Sequence, residues 1–174
     1  MLAIITGEGK GKTTSAFGTA LRAVGWGKKV LIIQFIKSKE FPTGEKKAIE
    51  KFLSDNITIK TLGLGFVGIM GDTKDLDKHR KKAKEALKKT EKLITLNHYD
   101  LIILDEILGA IKGHLLTTKK ILKLIELIDK NTDVILTGRL APKSLVDKAD
   151  LVSEIKKVKH PYDKGILAKK GFDF

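Results

Sequence analysis

Thr6-Gly7-Glu8-Gly9-Lys10-Gly11-Lys12-Thr13-Thr14 is the stretch that decides the fold. An apolar run, Leu2-Ala3-Ile4-Ile5, leads into it, and Ala16, Phe17, Ala20, Leu21 and Val24 recur at helical spacing behind it. The pattern reads strand, glycine-rich loop, helix, with the helix over 13–24 and closed by Gly25. Such a loop can turn several backbone N–H groups toward one point, and the helix adds its unpaired N–H groups and positive dipole end. A triphosphate suits that density of donors. Lys12 supplies a point charge, and Thr13 a hydroxyl of the kind that holds Mg²⁺. The spacing departs from the general pattern G-x-x-x-x-G-K-[ST], because Thr6 stands at its first glycine and the glycines fall at 7, 9 and 11. A glycine-rich turn with an incidental lysine is the bland alternative, disfavoured by the strand before it and the helix after it.

Working outward, further strands are predicted over 29–36, 57–61, 101–104, 134–136 and 151–158, the first of them almost continuous in Val, Ile, Leu and Phe. Helical patterns occupy 45–53, 75–97 and 117–128, and a short one runs from Pro142 to near Lys148. The alternation predicts a single α/β domain over 1–174, a mostly parallel sheet of about six strands flanked by helices, in the manner of P-loop NTPases of the RecA-like type. Parallel sheets bind ligands beyond the carboxyl ends of their strands. Gln34 and Lys37, Asp105-Glu106 and Thr137-Gly138-Arg139 all fall at such ends, and they gather with the glycine loop at one edge.

The carboxylates after the fourth strand fit a Mg²⁺ site beside Lys12 and Thr13, although an Asp-Glu pair there also serves as an ordinary helix cap. Arg139 would face the site and neutralise phosphate, or else form a surface ion pair. A lone His160 before proline is more often structural. Gly63-Leu64-Gly65-Phe66-Val67-Gly68-Ile69-Met70-Gly71 holds four glycines in nine residues, so neither a helix nor a central strand is expected. Its apolar side chains either cover the core or wall a flat apolar ligand.

The 174 residues contain no cysteine, which excludes disulfides, thiolate metal sites and cysteine nucleophiles and fits a reducing, cytoplasmic setting. No apolar run approaches the roughly 20 residues of a spanning helix, so no membrane partner is expected. Lys and Arg total 34 against 21 Asp and Glu, giving +13. That charge points to an anionic partner or to lysine-rich solvated helices. With two Tyr, one Trp and seven Phe, none alternating with basic residues, a base-stacking platform is unsupported and nucleic acid is the less favoured partner.

Several blocks together resemble the ATP:corrinoid adenosyltransferases of cobalamin synthesis and salvage. They are the loop with Ala20-Leu21-Arg22-Ala23-Val24-Gly25, Gln34-Phe35-Ile36-Lys37 with Gly44-Glu45, Leu104-Asp105-Glu106, Thr137-Gly138-Arg139, and 158–166. They follow the family's order across nearly the whole chain, and the displaced glycines are the family's own spacing. The resemblance implies attack by cobalt(I) of a reduced corrinoid on C5′ of ATP, with inorganic triphosphate leaving. It also implies an ATP phosphate tail reversed relative to other phosphate-loop enzymes. By position, Gly7, Glu8, Gly9, Lys10, Gly11, Lys12, Thr13, Thr14, Arg22 and Arg139 would serve the nucleotide. Lys12, Thr13 and Glu106 would be catalytic, and Thr13, Asp105 and Glu106 would hold Mg²⁺, with Mn²⁺ as a substitute. Phe66, Val67 and Ile69 would meet the corrinoid and help displace its lower ligand. An electron donor such as a flavoprotein, and a second copy in a homodimer, are the implied partners.

Three positions depart from that family. Gly68 stands where members often have a second aromatic, and Leu140 replaces a glycine often found after the arginine. Some members carry an N-terminal helical extension over the site. Here the sequence opens on the first strand, so that cover is expected to be absent or otherwise supplied. A P-loop nucleotide kinase or NTPase, and a nucleic-acid-stimulated ATPase, are the rival readings.

Overall fold

Apolar runs with no polar alternation can be buried only if helices cover both faces of the sheet. The computed structural model, which describes residues 1–38, 40, 43–65 and 75–174, shows that arrangement. The elements run β1 (Leu2–Thr6), α1 (Lys12–Gly25), β2 (Val30–Gln34), α2 (Gly44–Phe52), β3 (Ile57–Thr61), α3 (Leu76–Leu96), β4 (Leu101–Asp105), α4 (Ile107–Lys112), α5 (Thr118–Glu126), β5 (Asp133–Thr137), α6 (Lys143–Val146) and β6 (Leu151–Glu154). The sheet order is β3-β2-β4-β5-β1-β6, and every neighbouring pair is parallel.

Side-chain parity divides the core in two. Leu31, Ile33, Ile102, Leu104, Val134 and Leu136 face Ala83 and Leu87 of α3, Ile107 and Leu108 of α4, and Ile121 and Leu124 of α5. Val30, Ile32, Leu101, Ile103 and Ile135 face Ala16, Phe17 and Ala20 of α1 and Ile49 of α2. This is the period of two that a strand imposes. Each fully buried aliphatic side chain contributes about 1.5–3 kcal/mol, so the central strands β2, β4 and β5 hold the sheet together. The edges are lighter: β3 alternates buried and exposed residues, and β6 is exposed throughout. Among the described residues no helix is long and apolar enough to cross a membrane.

Three elements differ from the sequence-based expectation. The sixth strand, expected over 151–158, ends at Glu154, because Ile155 leaves the sheet to meet the glycine loop: the Gly9 N–H donates to the Ile155 carbonyl at 2.7 Å. α4, six residues directly behind Glu106, was not foreseen. Leu76, whose helical spacing with Ala83, Leu87, Leu93 and Ile94 predicts a place on the buried stripe of α3, is exposed, and His79, Ala83, Ala86, Leu87 and Thr90 make that stripe.

Candidate active site

β1 delivers the chain into the loop, where Gly7 and Gly11 adopt φ of 105° and 120°. Side chains rarely tolerate that region. Crowding is the second reason for glycine. A Cβ on Gly7 would collide with the Ile155 carbonyl oxygen, and one on Gly9 would lie 2.7 Å from the Lys156 carbonyl oxygen. The displaced glycines therefore stand where residues 155–156 press against the loop. Gly7→Ala is expected to cost about 1–3 kcal/mol through strain and overlap. A thermal midpoint lowered by about 2–12 °C, together with weakened MgATP binding, would show it; an unchanged midpoint would remove this account of the glycines.

Lys12 opens α1 and is buried, 7% exposed, with its Nζ donating to the Gly9 carbonyl at 2.7 Å. Burial lowers its pKa from the usual lysine value. Arg139 acts in the same direction, and Glu106, Glu8 and Asp105 oppose. The next residue, Thr13, donates its hydroxyl to Asp105 Oδ1 at 2.8 Å.

Asp105, the last residue of β4, is fully buried and is the hub of the site. Its Oδ1 also accepts the Thr137 hydroxyl at 2.8 Å. Its Oδ2 accepts Gln34 Nε2 at 3.1 Å and lies 3.5 Å from Lys37 Nζ. The Thr61 hydroxyl in turn donates to Gln34 Oε1 at 3.0 Å. Gln34 and Asp105 are register partners on β2 and β4. From there the chain turns to opposite sides, β2 toward β3 and β4 toward β5, which opens a crevice at these strand ends.

Glu106 follows in a left-handed conformation, φ 60°, and its N–H donates to Thr137 Oγ1 at 2.9 Å. Gly109 makes room for it, since a Cβ there would come within 2.8 Å of Glu106 Oε2. Burial raises the Glu106 pKa, and the neighbouring Asp105 raises it further, while Lys12, Lys37 and Arg139 oppose. The site thus sets a partly buried carboxyl within the field of a buried ammonium.

Arg139 reaches the loop by an ion pair with Glu8 at 3.0 Å, half-exposed on both sides and worth at most about 1 kcal/mol. Lys10 pairs instead with Asp173 at 3.3 Å. Thr14 is exposed on the first turn of α1. Arg22 stands apart from these residues. It lies on the last turn of α1, about 15 Å along the axis from Lys12 at about 1.5 Å per residue. The structure does not bring it to the loop of its own chain. His160 accepts the Tyr162 N–H on Nδ1 at 3.2 Å, as the cap of a short 3-10 helix, Pro161–Lys164. Phe66, Val67 and Ile69 lie outside the described residues. Sequence reasoning placed Gln34 and Lys37 at the edge without seeing that both serve Asp105, and it missed Thr61 and Asp173 altogether.

Chemically, the described residues offer hard oxygen donors at Thr13, Asp105 and Glu106, a donor set that suits Mg²⁺. Among the described residues no cluster of three or more His, Asp or Glu could hold a metal by itself. A cation here would therefore complete its shell with phosphate oxygens and water, as Mg²⁺ usually does.

Known proteins resemble the chain in fold and in sequence. The fold is similar to that of a KaiC-like protein from Pyrococcus horikoshii OT3, with a TM-score of 0.52 and 16% identity over 91% of this chain and 73% of that one. At that identity the likeness speaks for the fold alone. Corrinoid adenosyltransferases from Escherichia coli K12 and a Sinorhizobium species are 33% and 35% identical, over 100% of this chain and 85% and 80% of theirs. Corrinoid adenosyltransferase CobA of Salmonella typhimurium is 32% identical, again over 100% of this chain and 85% of its own. The model of the family described as ATP:corrinoid adenosyltransferase BtuR/CobO/CobP matches residues 1–174, and the chain belongs to that family.

Proposed function

We propose that the chain transfers the 5′-deoxyadenosyl group of ATP to cobalt(I) of a reduced corrinoid, releasing inorganic triphosphate and forming adenosylcobalamin or a related adenosylcorrinoid. The observation that carries this reading is the convergence of the loop glycines, buried Lys12 and the Thr13–Asp105–Glu106 group at one crevice, in a chain of this family. The cobalt electron pair forms the Co–C bond, and the C5′–O pair departs with the triphosphate. No proton need move at the reacting atoms. The protein's task is to hold both substrates in line and to neutralise charge gathering on the leaving group. In this reading Lys12 does so, and its burial supports the role, because an ammonium shielded from water acts more strongly than an exposed one.

Mg²⁺ belongs to the reading, with Mn²⁺ as a substitute. Thr13 Oγ1 and Glu106 would hold it, and it would neutralise triphosphate oxygens when bound. Among the described residues the Asp105 carboxylate meets Thr13, Thr137, Gln34 and Lys37, so in this reading it acts mainly by aiming the Thr13 lone pairs. Phe66, Val67 and Ile69 remain the proposed corrinoid side. The stretch leading to them, Leu62-Gly63-Leu64, lines a cavity of about 400 Å³ with Ser38 and Thr61, and Thr61 joins that cavity to the Asp105 network. A cytoplasmic setting, a flavoprotein electron donor and a homodimer complete the reading on the family resemblance.

The test is product identity. With MgATP and a chemically reduced corrinoid, adenosylcorrinoid and intact triphosphate should appear one to one, followed by absorbance and phosphorus NMR. ADP and phosphate as main products would sink the proposal in favour of a phosphoanhydride-cleaving enzyme.

A further inference from the structure

The two lysines of the glycine loop are held in different ways. Lys12 turns inward to Gly9. Lys10 turns outward to residues 169–174, its Nζ 3.3 Å from Asp173 Oδ1 and 5.6 Å from the centre of the Phe172 ring. The Asp173 carboxylate is fixed in turn. Its Oδ2 accepts the Lys169 N–H at 2.7 Å, and its own N–H donates to the Lys169 carbonyl at 2.8 Å. The Gly171 N–H closes the turn on the Phe174 carbonyl at 2.9 Å. That carbonyl also borders Gly44 at the start of α2. The Lys169 N–H holds the Asp173 pKa below the usual carboxylate value, with Lys10 and His160 adding to it. A fixed anion therefore sits on a loop lysine, making the contact that a phosphate oxygen would make.

We propose that Asp173, assisted by Phe172, is a positioning residue for Lys10 that competes with the triphosphate for its ammonium. This rests on the reading of the loop as a triphosphate site. The turn 169–174 yields Lys10 when MgATP binds and recaptures it as the product triphosphate leaves. The ring keeps the lysine at the rim during the exchange. A partly exposed ion pair is weak, so the competition tunes affinity by a few-fold and leaves chemistry to Lys12.

Calorimetric titration of MgATP and of inorganic triphosphate with Mg²⁺ separates the outcomes. Asp173→Asn is expected to tighten both by about two- to fivefold. The gain should shrink as salt is raised, and it should vanish in a Lys10→Gln background. An unchanged or weaker affinity in Asp173→Asn would overturn the proposal, as would a gain that persists without Lys10. Failure of the wild-type protein to bind either ligand would instead overturn the loop reading on which the proposal stands.

Discussion

Replacing Lys12 by methionine is expected to lower the rate of adenosyl transfer about 10²–10³-fold, the usual cost of removing one preorganised group that stabilises developing charge. The charge on the departing triphosphate grows only as the C5′–O bond breaks, so kcat should fall more than KM rises. Methionine keeps the stem that packs at the start of α1, so the fold should survive. The stability of the pair carries a second, independent sign. Burial lowers the Lys12 pKa from 10.5, so between that lowered value and 10.5 the unfolded chain binds more protons than the folded one. In that window the wild-type protein should gain stability relative to Lys12→Met as pH rises. Urea denaturation of both proteins at neutral and alkaline pH reads this directly. The opposite slope would mean that Glu106, Glu8 and Asp105 outweigh burial at this lysine.

What could be read from the sequence follows from how local each signal is. β2 and β4 were legible because Val30 to Ile33 and Leu101 to Leu104 are unbroken aliphatic runs that only a covered sheet can bury. α4 was not. Ile107-Leu108-Gly109-Ala110-Ile111-Lys112 spans less than two turns and is apolar on nearly every side, so it has no helical period to detect. Its start at a left-handed Glu106 adds no capping signal either. Lys12, Thr13, Asp105 and Glu106 were legible because each sits beside a strand end that its own neighbours define. Arg22, assigned to the nucleotide by resemblance, is carried away from the loop of its own chain by the rise of the helix. The remaining contacts depend on strand order. Thr61 can meet Gln34, and Gln34 Asp105, only because β2 lies between β3 and β4. The spacing of the loop glycines has the same origin, since its cause, the carbonyls of Ile155 and Lys156, arrives from the far end of the chain.

Asp105→Ala is expected to be the costliest substitution at the site for stability. The change strands the Thr13 and Thr137 hydroxyls and the Gln34 amide, and it leaves Lys37 without its carboxylate. Breaking a buried charged hub from one side costs about 3–5 kcal/mol, because the partners stay desolvated while their acceptor is gone. Asp105→Asn separates charge from shape. Its carbonyl oxygen can still take the two threonine hydroxyls, but its NH₂ would then face Gln34 Nε2 and Lys37 Nζ, three donors with no acceptor among them. Turning the Gln34 amide over would relieve that conflict only by taking the acceptor from Thr61. The asparagine variant should therefore recover part of the loss and never all of it. Chemical denaturation of the three proteins, with unfolding slopes compared to exclude a change in the unfolded state, measures this order. A loss under about 1 kcal/mol for Asp105→Ala would mean that the four partners find water or one another, and that the network does not hold Thr13 in place.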